Sequence, residues 1–216
     1  MKRLIFMVIL GLVSCSIAQL FVVDNDSDCF YIPKTVLKSQ NRVPALLYLH
    51  CQGAVKAHID SIKFIADSVN WIIFSCHKSR NHRNLLENDQ DIITCYKKAL
   101  AKYPVDSNCV FIYGFSGQGV QALATLFLHP EFFRGVISEC AHAQALVFAD
   151  WPRLKNKLIY LSSRTNDWNL KYNYYMDSIF RIRKIKNTLV IRHGEHTPGS
   201  PCDIYGAIKW LIKNCR

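Results

Sequence analysis

Short, mainly apolar runs alternate with amphipathic stretches along most of this 216-residue chain. The apolar runs have the length of strands and lie at residues 45–50, 71–76, 109–114, 134–140, 157–162 and 188–192. Apolar residues recur at helical spacing in residues 59–69, 89–103, 120–128 and 202–214. Strands that are apolar on both faces and alternate with helices form a mainly parallel sheet covered by helices on both sides. We therefore predict an α/β fold with its binding site at the carboxyl ends of the strands.

The beginning of the chain has the pattern of an export signal. Lys2 and Arg3 precede an unbroken apolar run at residues 4–13, and small residues follow. That run is too short to span a bilayer as a permanent helix. We predict that residues 1–18 are a signal peptide and that residues 19–216 form one domain, a length that suits a single core.

Two processing routes fit this signal. Leu12-Val13-Ser14-Cys15 resembles the bacterial lipobox, which implies cleavage before Cys15 and a lipid anchor on its sulfur. Ser16-Ile17-Ala18 fits the small-x-small rule of ordinary signal peptidase, with cleavage before Gln19. We favour the lipobox and expect an exported protein, either a membrane-anchored periplasmic lipoprotein or a secreted one.

A glycine-rich motif marks the junction between a predicted strand and a predicted helix. Gly114-Phe115-Ser116-Gly117-Gln118-Gly119 places a serine on a tight turn that demands small neighbours. Such a turn lifts the hydroxyl above the sheet, beside N–H groups at the start of the helix. Here the sequence resembles the α/β-hydrolase superfamily, especially its small lidless esterases and dienelactone-hydrolase-like members. The resemblance extends from about residue 45 to residue 211 and implies that Ser116 is a nucleophile.

One position departs from the family motif. G-x-S-x-G has glycine two residues after the serine, and Gln118 stands there in this chain. A small residue at that point lets the helix pack closely against the strand. We therefore expect Gln118 either to point outward or to shift the turn.

The resemblance implies the chain order serine, acid, histidine. His196 follows the last predicted strand and lies in a Gly-x-His segment that leads to a proline, as the family's catalytic histidine does; His193 is its competitor. Asp167 lies in the loop after strand 157–162 and is the predicted acid. Asp150, before that strand, and Asp177, within the following helix, are the alternatives.

The remaining site residues come from the loops around the serine. Gly117 and Cys51 are predicted to supply the N–H groups of the oxyanion hole, because His50-Cys51-Gln52-Gly53 resembles the family's His-Gly-x-Gly. Gln52 and His142 are predicted to line the substrate pocket. His50 is predicted to be a structural hydrogen-bonding residue under the loop.

Composition limits the other functions. The eight cysteines beyond Cys15 include no CxxC pair and no ligand spacing points to zinc, so we predict no metal and no cofactor.

One or two disulfides are compatible with export, with open connectivity, although Cys76, Cys109 and Cys140 lie in strand-like runs typical of core residues. The net charge of +11 suits anionic lipid or polysaccharide, or a solvated surface, and no motif indicates nucleic-acid binding.

We thus predict a serine hydrolase that acts through an acyl-enzyme on Ser116. A carboxylesterase that cleaves small soluble or polysaccharide-linked esters is the first choice, with thioesterase or peptidase activity behind it. The segment between residues 140 and 157 is too short for a lid, so an open pocket is expected. The rival hypothesis is a noncatalytic binding lipoprotein of the same fold, which Gln118 and Cys51 favour. The sequence gives no indication of the oligomeric state.

Overall fold

A computed structural model describes residues 20–39 and 41–215. One eight-stranded sheet runs through them in the order β1-β2-β4-β3-β5-β6-β7-β8. The strands are β1 (Leu20–Val23), β2 (Cys29–Ile32), β3 (Val43–Tyr48), β4 (Ile72–Ser75), β5 (Val105–Phe115), β6 (Gly135–Glu139), β7 (Leu158–Arg164) and β8 (Lys186–Arg192). From β4 to β8 all neighbouring strands are parallel, whereas β1 and β2 join as an antiparallel hairpin. The predicted α/β-hydrolase fold is confirmed, and the signal peptide predicted at residues 1–18 lies outside the described residues.

Helices cover both faces of the sheet. They are α1 (Lys34–Ser39), α2 (Lys56–Val69), α3 (Leu85–Lys102), α4 (Gly117–Leu128), α5 (Leu170–Ile182) and α6 (Pro201–Asn214). Helices α2 and α6 pack on one face, and α3, α4 and α5 pack on the other. Successive strand residues serve opposite faces: Phe111 packs with α2 and α6, and Ile112 packs in the other core. This alternation explains why the central parts of the parallel strands are apolar on both faces.

The β1–β2 hairpin is tied to α3 by a cluster of charges. Asp24, Asp26 and Asp28 converge on the ammonium group of Lys98, which lies 3.0 Å from carboxylate oxygens of Asp24 and Asp28 and also contacts Asp26. Burial opposes the charged form of Lys98, but its hydrogen bonds to the three aspartates raise its pKa. The lysine therefore occupies the point at which these carboxylates could otherwise gather around a metal ion.

Two short 3-10 helices, Ala143–Phe148 and Trp151–Leu154, fill the connection between β6 and β7. The first of them packs against α4 and α5. The connection thus lies on the body of the protein and leaves open cavities beside the predicted nucleophile. Within residues 20–39 and 41–215, the helices are all too short or too polar to cross a bilayer.

The fold depends on how closely α4 approaches the end of β5, which gives a stability prediction. A Cβ atom at Gly114 would lie 2.0 Å from the carbonyl oxygen of Gln118, so Gly114→Ala should cost several kcal/mol of unfolding free energy, about 3 or more by analogy with overpacked and strained sites. Gly206→Ala in α6 is the matched control, because a Cβ there would meet no atom within 4 Å from the rest of residues 20–39 and 41–215, beyond its chain neighbours and its own helix backbone. Helix propensity should make this control about 0.5–1 kcal/mol more stable than wild type. Urea unfolding measures both, and equal stability of the two variants would contradict the prediction.

Candidate active site

Ser116 lies on the sharp turn between β5 and α4. Its backbone has φ 55° and ψ −124°, a conformation that side-chain-bearing residues rarely adopt. The Ser116 N–H donates to the carbonyl oxygen of Glu139 at 2.8 Å, which fixes the turn against the end of β6. Gly119 completes the close packing, because a Cβ there would lie 3.0 Å from the same oxygen.

Gln118 does not point outward, contrary to the first of the two expectations. Its side chain is 1% exposed and accepts a hydrogen bond from the Ser79 hydroxyl at 2.7 Å. Its amide N–H donates to the Asn81 side chain at 3.5 Å. Gly119 faces the sheet, and the side chain at position 118 points toward the loop between β4 and α3. A polar side chain forms hydrogen bonds with that loop.

The structure brings the three predicted triad members together. His196 Nε2 lies 2.8 Å from Ser116 Oγ, and His196 Nδ1 lies 2.7 Å from Asp167 Oδ1. Two aromatic rings flank the imidazole: Trp168 stacks on it at 3.7 Å between ring centroids, and Phe115 lies at 4.9 Å. The arrangement holds the imidazole between a hydroxyl to deprotonate and a carboxylate that orients it.

The surroundings of Asp167 keep it ionised. Burial acts to raise the pKa of this carboxyl, but hydrogen bonds from four neighbours outweigh that effect and hold the pKa below its ordinary value. The four donors are Ser163, the backbone of Asn169, His196 and Cys140. Asp167 Oδ2 accepts from Ser163 at 2.6 Å, and Oδ1 accepts from the Asn169 N–H at 2.9 Å. A charged carboxylate can stabilise the imidazolium that forms when His196 takes a proton.

The alternative residues lie elsewhere. His193 contacts the Thr165 hydroxyl at 3.4 Å. Asp177 accepts from Arg181 on its own helix, and Asp150 is exposed. Cys140, Asp167 and His196 have ligand atoms within 4.8 Å of one another and so form a possible metal-binding group, but Asp167 and His196 already bind each other.

The predicted oxyanion loop lies beside the serine turn. The Cys51 carbonyl accepts from the Asn81 N–H at 2.8 Å, and the Cys51 thiol donates to the Phe115 carbonyl at 3.2 Å. Burial raises the pKa of the Cys51 thiol, which keeps it protonated and weakly nucleophilic. Gly117 begins α4, so its N–H has no partner within the helix. The oxyanion-hole roles of Gly117 and Cys51 stay predictions.

His50 has the kind of structural contacts predicted for it. Its ring stacks on His58 at 3.7 Å between centroids and accepts from the Gln52 N–H at 3.3 Å. Burial, with His58 adding to the effect, lowers the pKa of His50 and favours its neutral form.

Two cavities border the site. One, of about 420 Å³, is lined mainly by apolar and aromatic residues, including Tyr113 and Pro198, and also by Gln52, whose role in substrate binding stays a prediction. The other, of about 370 Å³, includes Ser116 itself. Gln144, rather than the predicted His142, lines this second cavity. The His142 ring lies against Tyr172 at 3.8 Å and accepts from the Gln144 N–H, and its role in substrate binding stays a prediction.

A model of the prolyl oligopeptidase family matches residues 78–201, which include the complete Ser116, Asp167 and His196 set. The chain belongs to the prolyl oligopeptidase family. This membership supports the predicted enzyme class, a serine hydrolase of the α/β-hydrolase fold. A comparison with curated protein sequences finds no significant match.

Solved structures similar to this prolyl oligopeptidase family member share its fold at low sequence identity. A ferulic acid esterase superposes with a TM-score of 0.73 at 14% identity, over 91% of this chain and 97% of its own. Fluorophosphonate-binding serine hydrolase F of Staphylococcus aureus superposes at 0.69 and 13% identity, over 90% and 97%. An acylaminoacyl peptidase of Pyrococcus horikoshii superposes at 0.68 and 13% identity, over 91% of this chain and 41% of its own.

Sequence reasoning missed two regions of this family member's site. The loop at residues 77–84, between β4 and α3, brings Arg80 and Asn81 to the cavity beside Ser116. The sequence contains a signal for this loop: a run of charged and amide residues follows a buried strand whose carboxyl end lies at the site. Trp168, which covers His196, directly follows the predicted acid and is 69% exposed.

Glu139, also missed, connects several parts of the site. It ends β6 and is 1% exposed. Its carboxylate accepts from the Tyr113 hydroxyl at 2.8 Å, the Ser162 hydroxyl at 3.2 Å and the Gly199 N–H at 2.9 Å. The last bond anchors the loop that carries His196, three residues before Gly199.

Replacing Asp167 should separate orientation of the histidine from folding. In Asp167→Asn an amide can present a donor to His196 Nδ1 and hold the wrong tautomer, so kcat should fall by about 10⁴-fold with the protein still folded. Asp177→Asn, the same substitution at the rejected alternative, should leave kcat unchanged. Turnover of an activated aryl ester and a thermal melting curve for each variant test this. A greater loss of kcat in Asp177→Asn would contradict the assignment.

Proposed function

We propose that this protein hydrolyses carboxylic esters through an acyl-enzyme on Ser116. The observation that carries the proposal is the continuous hydrogen-bond chain from Ser116 Oγ through the His196 ring to Asp167, with distances of 2.8 and 2.7 Å. Each of these three groups is oriented for its step, because the turn at Ser116 exposes the hydroxyl and Asp167 accepts a hydrogen bond from His196 Nδ1. Nε2 is then free to accept the serine proton.

The chemistry follows from this geometry. His196 Nε2 takes the proton of Ser116 as Oγ bonds to the ester carbonyl carbon, and the carbonyl oxygen becomes an oxyanion. We assign the N–H groups of Gly117 and Cys51 to stabilise that charge. As the intermediate collapses, the bond to the alcohol oxygen breaks and His196 gives that oxygen its proton. Water then attacks the acyl-enzyme by the same route and releases the acid and free Ser116.

The open cavities support an ester of moderate size as substrate. Both cavities are accessible from solvent, and the connection between β6 and β7 packs on α4. The similarity to a ferulic acid esterase over nearly all of both chains supports an ester substrate. Peptide hydrolysis is the second candidate. Membership of the prolyl oligopeptidase family and the similarity to an acylaminoacyl peptidase favour it.

We further propose that the protein works outside the cytoplasm. The order of charged, apolar and small residues in positions 1–18 supports export, and Leu12-Val13-Ser14-Cys15 supports a lipid anchor. An anchored enzyme with a net charge of +11 in the full chain would remain close to anionic surfaces, where polysaccharide-linked or small soluble esters are available.

Ser116→Ala tests the reaction. Because the triad acts as a unit, ester turnover should fall by more than about 10⁴-fold, and labelling by a fluorophosphonate probe should disappear, while thermal melting stays near that of wild type. Ser178→Ala, on an exposed position of α5, is the control and should retain both turnover and labelling. If wild type neither turns over esters nor reacts with the probe, the noncatalytic binder is correct. Faster cleavage of peptide anilides than of matched esters would instead favour the peptidase.

The processing route is tested at the mature N-terminus. Expression of the full chain in a bacterial host, followed by mass spectrometry, should find Cys15 as the first residue with a lipid attached. Cys15→Ser should release the protein from the membrane fraction without changing ester turnover. A wild-type chain that begins unmodified at Gln19 would rule out the lipid anchor.

A further inference from the structure

The cavity beside Ser116 has an unusual charge balance. Among the residues that the structure describes, its lining includes two arginines, one histidine and five amide side chains, and no carboxylate. A cavity that begins at the nucleophile and offers mainly hydrogen-bond donors and positive charge suits an anionic group on the substrate. The other cavity, with its aromatic and apolar lining, suits an uncharged group.

The two arginines differ in what they contact. Arg83 is paired, with its guanidinium 2.7 Å from the Asp91 carboxylate. Arg80 is exposed, and among residues 20–39 and 41–215 no carboxylate lies within salt-bridge distance of its guanidinium. The positive charge at this rim that is available to a substrate is therefore that of Arg80.

The backbone of Arg80 is held in place by a buried amide. Asn88, which is 2% exposed, accepts from the Arg80 N–H at 3.3 Å and donates to the Arg80 carbonyl at 2.9 Å. The next residue, Asn81, packs against the nucleophile turn, since a Cβ at Gly117 would lie 2.5 Å from its side-chain oxygen. The backbone of Arg80 is thus fixed beside the site, and its exposed side chain extends from this fixed point.

The position of His196 indicates which half of the ester enters this cavity. His196 must give a proton to the departing alcohol, so the alcohol leaves on the histidine side. The loop after His196 lines the apolar cavity through Pro198, Gly199 and Pro201. The acyl half then extends to the other side, past Gly117 toward Arg80.

We propose that the preferred substrate is a monoester of a dicarboxylic acid, whose free carboxylate binds the guanidinium of Arg80 while an apolar alcohol occupies the other cavity. This rests on the proposed esterase function. A planar guanidinium binds a carboxylate through paired N–H···O bonds, which lysine cannot reproduce. Because Arg80 is exposed, solvent and salt screen the interaction, so its effect is moderate.

Matched substrates test the proposal. Para-nitrophenyl monoesters of succinate, glutarate and adipate are compared with neutral acyl esters of equal chain length, after subtraction of the rate with Ser116→Ala protein. For the best chain length, wild type should show kcat/KM about tenfold higher for the charged ester, the lower end of what a hydrogen bond to a charged group contributes. Arg80→Gln should abolish that ratio, Arg80→Lys should restore part of it, and added salt should reduce it. Arg183→Gln, which removes an exposed arginine on another part of the surface, is the control and should keep the wild-type ratio.

The outcomes separate this inference from the esterase proposal. A wild-type enzyme that hydrolyses the neutral esters without preferring the charged ones overturns the inference and leaves the esterase function standing. The same holds if a carboxylate on the aryl alcohol, in place of the acyl chain, gives the Arg80-dependent preference. Absence of turnover with every ester overturns both proposals. Loss of the preference in Arg183→Gln as well as in Arg80→Gln would attribute it to overall charge and also overturn the inference.

Discussion

The close approach of α4 to the ends of β5 and β6 is the constraint on which the site depends. Gly114 and Gly119 leave room for backbone to contact backbone, and Ser116 between them takes a positive φ that no regular element allows. The cost of this conformation is offset by the packing of α4, whose residues are largely buried, and by the bond from the Ser116 N–H to Glu139. The serine hydroxyl is consequently held above the sheet before any substrate binds, which is the preorganisation that catalysis requires.

Glu139 links Ser116 to the loop that carries His196. Its backbone carbonyl accepts from Ser116, and its carboxylate accepts from Gly199 on the loop that carries His196. Two segments that are 80 residues apart in the chain are therefore positioned by one residue at the end of β6. Farther along that loop, Ser200 and Asp203 cap the start of α6, and Asp203 pairs with Arg192 at the end of β8 at 2.6 Å. His196 thus lies on a short loop. Beyond His196, this loop is hydrogen-bonded to β6 and is joined through α6 to β8.

The fold could be predicted because its elements have local signals, and the resemblance to the α/β-hydrolases indicated which residues should meet at the site. Fully apolar runs indicated the parallel strands. Ser116, Asp167 and His196 each follow a predicted strand, so they were expected at one edge of the sheet. The β1–β2 hairpin was missed because its strands are only four residues long and because β2 joins the sheet through β4, which lies far along the chain. The position of Gln144 was not foreseen, because His142 after β6 begins a 3-10 helix and Gln144 within that helix lines the cavity. Side-chain direction within an irregular loop has no periodicity to reveal it.

The two departures from the family motif are accommodated by specific partners. Gln118 is buried, and its side chain bonds to Ser79 and Asn81. The Cys51 thiol bonds to the Phe115 carbonyl, and burial keeps the thiol protonated. Gln118 contacts the loop between β4 and α3 through Asn81, and Asn81 also donates its N–H to the Cys51 carbonyl. The two residues thus join this loop to the serine turn. The larger residues therefore leave the geometry of Ser116, Asp167 and His196 intact, and they connect it to the segment that carries Arg80.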